Sequence, residues 1–247
     1  MLHGLGDHCR GLPYQYLTAA LVERGFLACS FDWRGHGASA GARMYAEGWD
    51  TLRGDLHVFL QLVERQAPEV PLFMVGLSLG GLMALNYTLH HPGAVRGVVA
   101  AAPAVDASGV PLPVRVAIPL LARILPRMLI NPGLDLTRIS RDAEAVREYT
   151  ADPLFQVRTT PRLAAAALAA MAETGAAAHR LRVPVLLLHG GEDTIVRPEG
   201  SAALLARLGS TDRSHHEYPG ACHNLFLEEN RAEVFRDITS WMEERLD

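Results

Sequence analysis

Gly76-Leu77-Ser78-Leu79-Gly80 lies between the apolar run Pro71 to Val75 and an apolar helical pattern from Leu79 to His91 that stops at Pro92. A serine bracketed by glycines at a strand-to-helix turn is a nucleophile elbow. The turn lifts the hydroxyl out of the core, and the missing Cβ atoms let strand and helix close on each other. The helix start beneath the serine favours negative charge, which suits an oxyanion. A plain Gly-Ser loop is the bland alternative, and it would not need a strand before it and a helix after it. The motif therefore commits the chain to alternating strands and helices around an exposed serine.

The rest of the sequence keeps that rhythm, as expected of a mostly parallel α/β sheet. Leu17, Ala20, Leu21 and Arg24, closed by Gly25, predict a helix, and Phe26 to Phe31 predict a short buried strand ending at Asp32. Leu52, Leu56, Phe59, Leu60 and Val63 form the next helical stripe, with Asp50 as its expected N-cap. Strands are expected at Gly97 to Ala102, Val185 to His189 and His215 to Tyr218, and helices from Ser201 to Leu208 and around Val234, Ile238, Trp241 and Met242. Between Val105 and about His179 the strand signal vanishes into an Ala-, Leu- and Pro-rich helical stretch. Residues 1–104 and 180–247 accordingly form one core, and 105–179 an insertion.

At 247 residues the chain can bury a large core without disulfides or metals, and nothing requires a second folding unit. Its net charge of -4 and scattered basic residues leave no footprint for nucleic acid. Small neutral substrates fit better. Cys9, Cys29 and Cys222 are too few and too unevenly spaced for a disulfide framework or zinc site, which points to a reducing, cytoplasmic setting. Neither a secretory leader nor an apolar run of about 18 residues is evident.

A serine hydroxyl needs an imidazole as general base and a carboxylate to fix the imidazole tautomer. In a hydrolase sheet these follow in the order Ser, Asp, His on loops after later strands. Asp193 stands in Gly190-Gly191-Glu192-Asp193, directly after a buried strand, and His223 follows the last strand within Gly220-Ala221-Cys222-His223. Asp193 could instead cap its own turn, with Glu192 as the acid. Among the eleven histidines, His57, His90, His91, His215 and His216 fall inside or at the ends of regular elements, whereas His223 combines a post-strand loop with the required order. The oxyanion needs two backbone N–H donors, and Leu79, after the nucleophile, and Leu5, in His3-Gly4-Leu5-Gly6-Asp7-His8, are placed to supply them. Taken alone, that glycine turn could also cradle a phosphate, but the dinucleotide fingerprint is incomplete.

H-G-L-G-D-H at 3–8, F-D-W-R-G-H-G-A-S at 31–39, G-L-S-L-G-G at 76–81, S-R-D-A-E-A-V-R-E-Y-T-A-D-P-L at 140–154 and H-G-G-E-D-T-I-V at 189–196 resemble the monoacylglycerol lipase family of serine α/β-hydrolases. Similarity spans nearly the whole chain, and the segment at 140–154 is the most specific part. It implies an α/β-hydrolase fold with an eight-stranded sheet, a cap (lid) formed by 105–179, no cofactor, and cleavage of a glycerol monoester of a fatty acid. Ser78, Asp193 and His223 fall on the family's triad, and Leu5 and Leu79 on its oxyanion hole. Arg34 to Gly37 match a loop read as structural bracing. In this fold the H-G-x-G loop follows a central strand, yet only Met1 and Leu2 precede His3. The sheet is therefore expected to lack its N-terminal strands, with a damaged centre.

The insertion is rich in apolar residues from Val105 to Ile130, with Arg115, Arg123 and Arg127 interspersed. Such a segment can line an acyl channel and touch a membrane surface peripherally, or simply be a buried helix of an ordinary cap. The expected partner is a small single-chain lipid ester. A broad carboxylesterase or lysophospholipase, and an acyl-binding or acyl-transferring protein on the same fold, are the alternatives. Cys222 beside the base reads as a packing residue rather than a redox sensor.

Overall fold

The computed structural model describes residues 1–246. Four parallel strands form one sheet in the order β1 (Phe73–Leu77), β2 (Gly97–Ala101), β3 (Val185–Gly190) and β4 (Arg213–Tyr218). Parallel neighbours need crossover helices, and these cover both faces of the sheet. Because side chains alternate along a strand, Met74, Val98, Ala100, Val185 and Leu187 point to one face. There they pack with α2 (Trp49–Gln66), α3 (Leu79–His90), α6 (Pro161–Ala177) and α7 (Pro198–Arg207). Val75, Leu77, Val99, Ala101, Leu186 and Leu188 face the other way, against α1 (Leu12–Glu23) and α8 (Arg231–Glu243). The expected stripe of α8, Val234, Ile238, Trp241 and Met242, is buried, each side chain stabilising the layer by roughly 1.5–3 kcal/mol.

Helix α3 is buried along almost its whole length, so it is the spine beneath the elbow. Asn86, fully buried within it, accepts from Trp49 Nε1 and Arg53 Nη1 of α2 and donates to Glu173 and Thr174 of α6. One satisfied amide thus fastens three helices together.

Three expectations change. Asp50 is not the N-cap of α2: Gly48 occupies that place, and Asp50 lies in the first turn, where it pairs with Arg53. The sheet has four strands rather than the eight the resemblance implies. Phe26 to Phe31 form no strand; they are half-buried, with Leu27 exposed. The reason lies beside them. Leu2 alone bridges to β1, at Gly76, while the Met1 amino group reaches Cys29 O at 2.6 Å. A groove of about 770 Å³, lined by residues such as Phe26, Ala28, Phe59, Met74 and Val75, separates the two segments where ladder partners would otherwise meet. The sheet is thinned at this point.

Between β2 and β3 the chain is helical, with α4 (Leu112–Ile124), α5 (Ala143–Ala151) and α6, plus one antiparallel bridge from Ile130 to Thr159. Asp142 caps α5 by accepting from Ala145 N, and Thr160 caps α6 by accepting from Leu163 N.

Candidate active site

All four strands point the same way, so the loops after β1, β3 and β4 emerge at one edge of the sheet. Ser78 leaves β1 there with φ 55° and ψ -115°, a backbone conformation few side chains adopt. The surroundings hold it in place: Ser78 N donates to Ala101 O at 2.8 Å, and Ala104 N donates to Ser78 O at 3.1 Å. Gly76 and Gly80 are required on steric grounds, since a Cβ on the first would overlap Gly80 O and on the second Leu2 O.

Asp193 and His223 meet after β3 and β4. His223 Nδ1 donates to Asp193 Oδ2 at 2.7 Å, and both residues are buried. Asp193 Oδ1 accepts from Ile195 N and Val196 N at 2.8 and 2.9 Å, which fixes the carboxylate plane. Burial alone would raise this carboxyl. The charge of His223, hydrogen bonds from His189 and His223, and the Val196 amide outweigh it and hold the group well below the usual carboxylate range. Glu192 is exposed and takes part only through its backbone, donating to Ala221 O and accepting from Arg138 Nη2. Asp193 rather than Glu192 therefore faces the imidazole. Ser78 and His223 share the sheet edge but form no hydrogen bond to each other. Such contacts often tighten only around substrate.

The first loop packs onto the elbow. A Cβ on Gly4 would sit 3.6 Å from both Leu77 O and Ser78 Cβ. Gly4 N donates to Tyr14 Oη at 3.0 Å, and Gln156 N donates to Gly6 O at 2.7 Å, so the chain is anchored on both sides of Leu5. Leu79 opens α3, where a backbone N–H has no intrahelical acceptor. Asp7, at the back of this loop, is fully buried; burial pushes its carboxyl up to about 7 against the opposing His8 amide. The Arg34 to Gly37 loop braces its neighbours as expected. Arg34 pairs with Asp55, His36 Nδ1 donates to Arg34 O, and Trp33 N donates to His3 Nε2.

His189 was visible in the sequence only as the end of a strand. Its Nε2 lies 2.9 Å from Val196 O and 3.2 Å from Asp193 Oδ2, and its Nδ1 lies 2.8 Å from Ser201 Oγ. Since a carbonyl only accepts, Nε2 carries the proton and Nδ1 accepts from Ser201. The available signal was its position four residues before Asp193, at the mouth of the same turn.

Known proteins resemble this chain over nearly its whole length. Monoacylglycerol lipase of Mycolicibacterium smegmatis is 30% identical over 244 residues, covering 98% of this chain and 86% of the relative. Human monoglyceride lipase is 30% identical over 249 residues, covering 98% and 81%. Among solved structures, Paleococcus ferrophilus monoacylglycerol lipase superimposes with a TM-score of 0.91 at 32% identity, covering 99% of this chain and 93% of that one. A soluble variant of Saccharomyces cerevisiae monoglyceride lipase, in complex with a substrate analog, gives 0.89 at 28% identity, covering 100% and 85%. The family described as "Serine aminopeptidase, S33" matches residues 1–230, and with that match over most of its length this chain belongs to that family of α/β-hydrolases.

Proposed function

We propose that this protein is a serine hydrolase that cleaves monoacylglycerols, or similar single-chain acyl esters, to fatty acid and alcohol through an acyl-enzyme. The observation that carries the proposal is the 2.7 Å bond from His223 Nδ1 to Asp193 Oδ2 at the sheet edge where Ser78 emerges. With Nδ1 protonated toward Asp193, Nε2 is left as a base. It takes the Ser78 proton as Oγ attacks the ester carbonyl, while the Leu5 and Leu79 amides receive the developing oxyanion. His223 then protonates the leaving alkoxide. Water enters, gives its proton to His223 and attacks the acyl carbon; His223 returns the proton to Ser78 Oγ as the acyl–oxygen bond breaks and the fatty acid leaves. Similarity to lipases acting on monoglycerides, at about 30% identity over almost the whole chain, supports an acyl ester over a peptide.

Residues 105–179 act as a cap over this edge and select a single acyl chain. On α4, Leu112, Val116, Leu120 and Ile124 recur every four residues and are all exposed, at 64, 69, 59 and 64%. A continuous apolar stripe on a surface helix, with Arg115 and Arg123 on the same helix, fits a peripheral contact with a lipid surface. No helix of the described residues is long and apolar enough to cross a membrane.

Ser78→Ala tests the assignment. Turnover of a monoacylglycerol and labelling by a fluorophosphonate probe should both be lost, apart from the small rate that oxyanion binding alone supports. Continued labelling at a serine would reject Ser78 as the nucleophile. Faster hydrolysis of triacylglycerols than of monoacylglycerols would reject the substrate class.

A further inference from the structure

The Glu228 carboxylate is sealed from solvent, with an exposure of 0%. A charge persists in such a place only when donors surround it. Three do. Oε1 accepts from Cys222 N at 2.7 Å and from Arg141 N at 3.3 Å, and Oε2 accepts from Arg141 Nε at 2.8 Å. The Cys222 amide immediately precedes His223, so Glu228 grips the backbone from which the imidazole projects.

The neighbouring amides are held by the same stretch of the insertion. His223 N donates to Arg138 O at 3.5 Å and Asn224 N to Ile139 O at 2.7 Å. Ser140 Oγ donates to Leu227 O at 2.9 Å. Arg138 Nη2 reaches Glu192 O at 3.2 Å, one residue before Asp193. Three successive amides of the histidine loop therefore end on residues 138–141, either directly or through Glu228. Arg141 also donates from Nη2 to Asn230 Oδ1 at 3.1 Å, which ties this base to the start of α8.

We propose that Glu228 is a positioning residue for His223, and that Arg141 couples it to the base of the cap; this rests on His223 acting as the general base. The acceptor must be a carboxylate for a geometric reason. All three groups facing it are N–H donors, and they need both oxygens. Glu228→Gln preserves size but turns an NH2 toward either the Arg141 guanidinium or the two amides, leaving one side unpaired and repelled. Arg141→Lys keeps the charge and the Arg141 amide but removes the Nε–H that holds Oε2, so its effect should be smaller.

The test uses the purified full chain and p-nitrophenyl butyrate, a soluble ester that does not depend on a lipid surface. Fluorophosphonate labelling counts active sites, so that kcat is expressed per labelled Ser78. For Glu228→Gln, kcat should fall roughly 10- to 100-fold with KM within about threefold, the pattern of a base displaced from its working geometry. Arg141→Lys should lose roughly 3- to 10-fold on the same basis. The low-field proton resonance of the His223 Nδ1–H bond should move or broaden in both. A purely structural role would lower the unfolding temperature and the fraction of labelled sites, leaving kcat per site and that resonance unchanged. That outcome in both variants overturns the proposal. If Glu228→Gln does not fold, the same outcome in Arg141→Lys alone overturns it. Failure of the unsubstituted protein to label at Ser78 would instead reject the functional assignment beneath it.

Discussion

Asp193→Asn removes a charge and almost no volume, and the surrounding hydrogen bonds dictate how the new side chain sits. Ile195 N and Val196 N both donate to Oδ1, at 2.8 and 2.9 Å, so the amide oxygen must take that position. The NH2 then occupies the place of Oδ2, 2.7 Å from His223 Nδ1. Two N–H groups cannot face each other, so His223 moves its proton to Nε2. That tautomer cannot accept the Ser78 proton. The loss expected from a wrong tautomer is on the order of 10⁴-fold in kcat, or about 5 kcal/mol of transition-state stabilisation. His189 does not relieve this, because its Nε2–H, 3.2 Å from the Oδ2 position and 2.9 Å from Val196 O, would face the same NH2. The assay is p-nitrophenyl butyrate hydrolysis per folded protein, with Glu192→Gln as comparator, since that exposed side chain should matter less than about twofold. Stability carries a second signature. Asp193 titrates below its unfolded range, so its contribution is present above roughly pH 4 and is lost as pH falls through the folded value. The stability difference between the two proteins should therefore narrow on acidification. Equal losses for both substitutions, or an Asn variant retaining more than about a tenth of the activity, would refute the tautomer argument.

Gly80→Ala should cost about 1–3 kcal/mol and reduce turnover together, because its Cβ would overlap Leu2 O and push the oxyanion loop away from Ser78; thermal unfolding and ester kinetics check this. Ile124→Asp, at a 64% exposed site, should leave soluble short-chain esters nearly unaffected and slow hydrolysis of long-chain monoacylglycerols presented in vesicles. Uniform loss across chain length would make α4 merely structural. Asp7 binds its proton up to about pH 7 in the folded protein but releases it near pH 4 when unfolded, so folding binds more protons between these values and stability falls as pH rises through them. Asp7→Asn should remove that slope and raise the unfolding temperature at pH 8 more than at pH 5.

Much of the site was legible because hydrolase chemistry imposes local sequence. An elbow needs glycines next to its serine, and the acid and base must stand on loops after strands, so motif and order pointed to Ser78, Asp193 and His223, with Glu192 left open beside Asp193. His189 and Glu228 could not be found in that way. Each acts on a neighbour brought close by folding, and each looks in sequence like an ordinary strand or loop residue. The same limit explains the segment Phe26–Phe31. Its composition is that of a buried strand, yet a strand exists only with a ladder partner, and here the space toward β1 is a groove bridged at Leu2 and Met1. Asp50 illustrates a smaller ambiguity: an acidic residue near a helix start is equally at home as N-cap or in the first turn, and tertiary packing chose Gly48 for the cap.

Helix α4 shows why apolar content alone could not separate a buried helix from one with an exposed apolar face. Ile118 and Ala122, four residues apart, are 5 and 4% exposed and turn inward. Leu112, Val116, Leu120 and Ile124, also four apart, lie on another face and are largely exposed. Both stripes obey helical spacing, so the sequence shows a helix that is apolar on two sides without saying which side meets protein. The helix would not gain by burying both faces against its own chain, since α6 already covers the inner one through the strongest packing that α4 makes. The outer stripe remains in water, where each side chain forgoes roughly 1.5–3 kcal/mol of burial. On the proposed reading, a lipid surface would recover that energy and would also bring the helix to the phase in which the proposed substrate resides. Exposure of the outer stripe and acyl selectivity would then have one cause, a helix that holds the cap on one side and meets the source of substrate on the other.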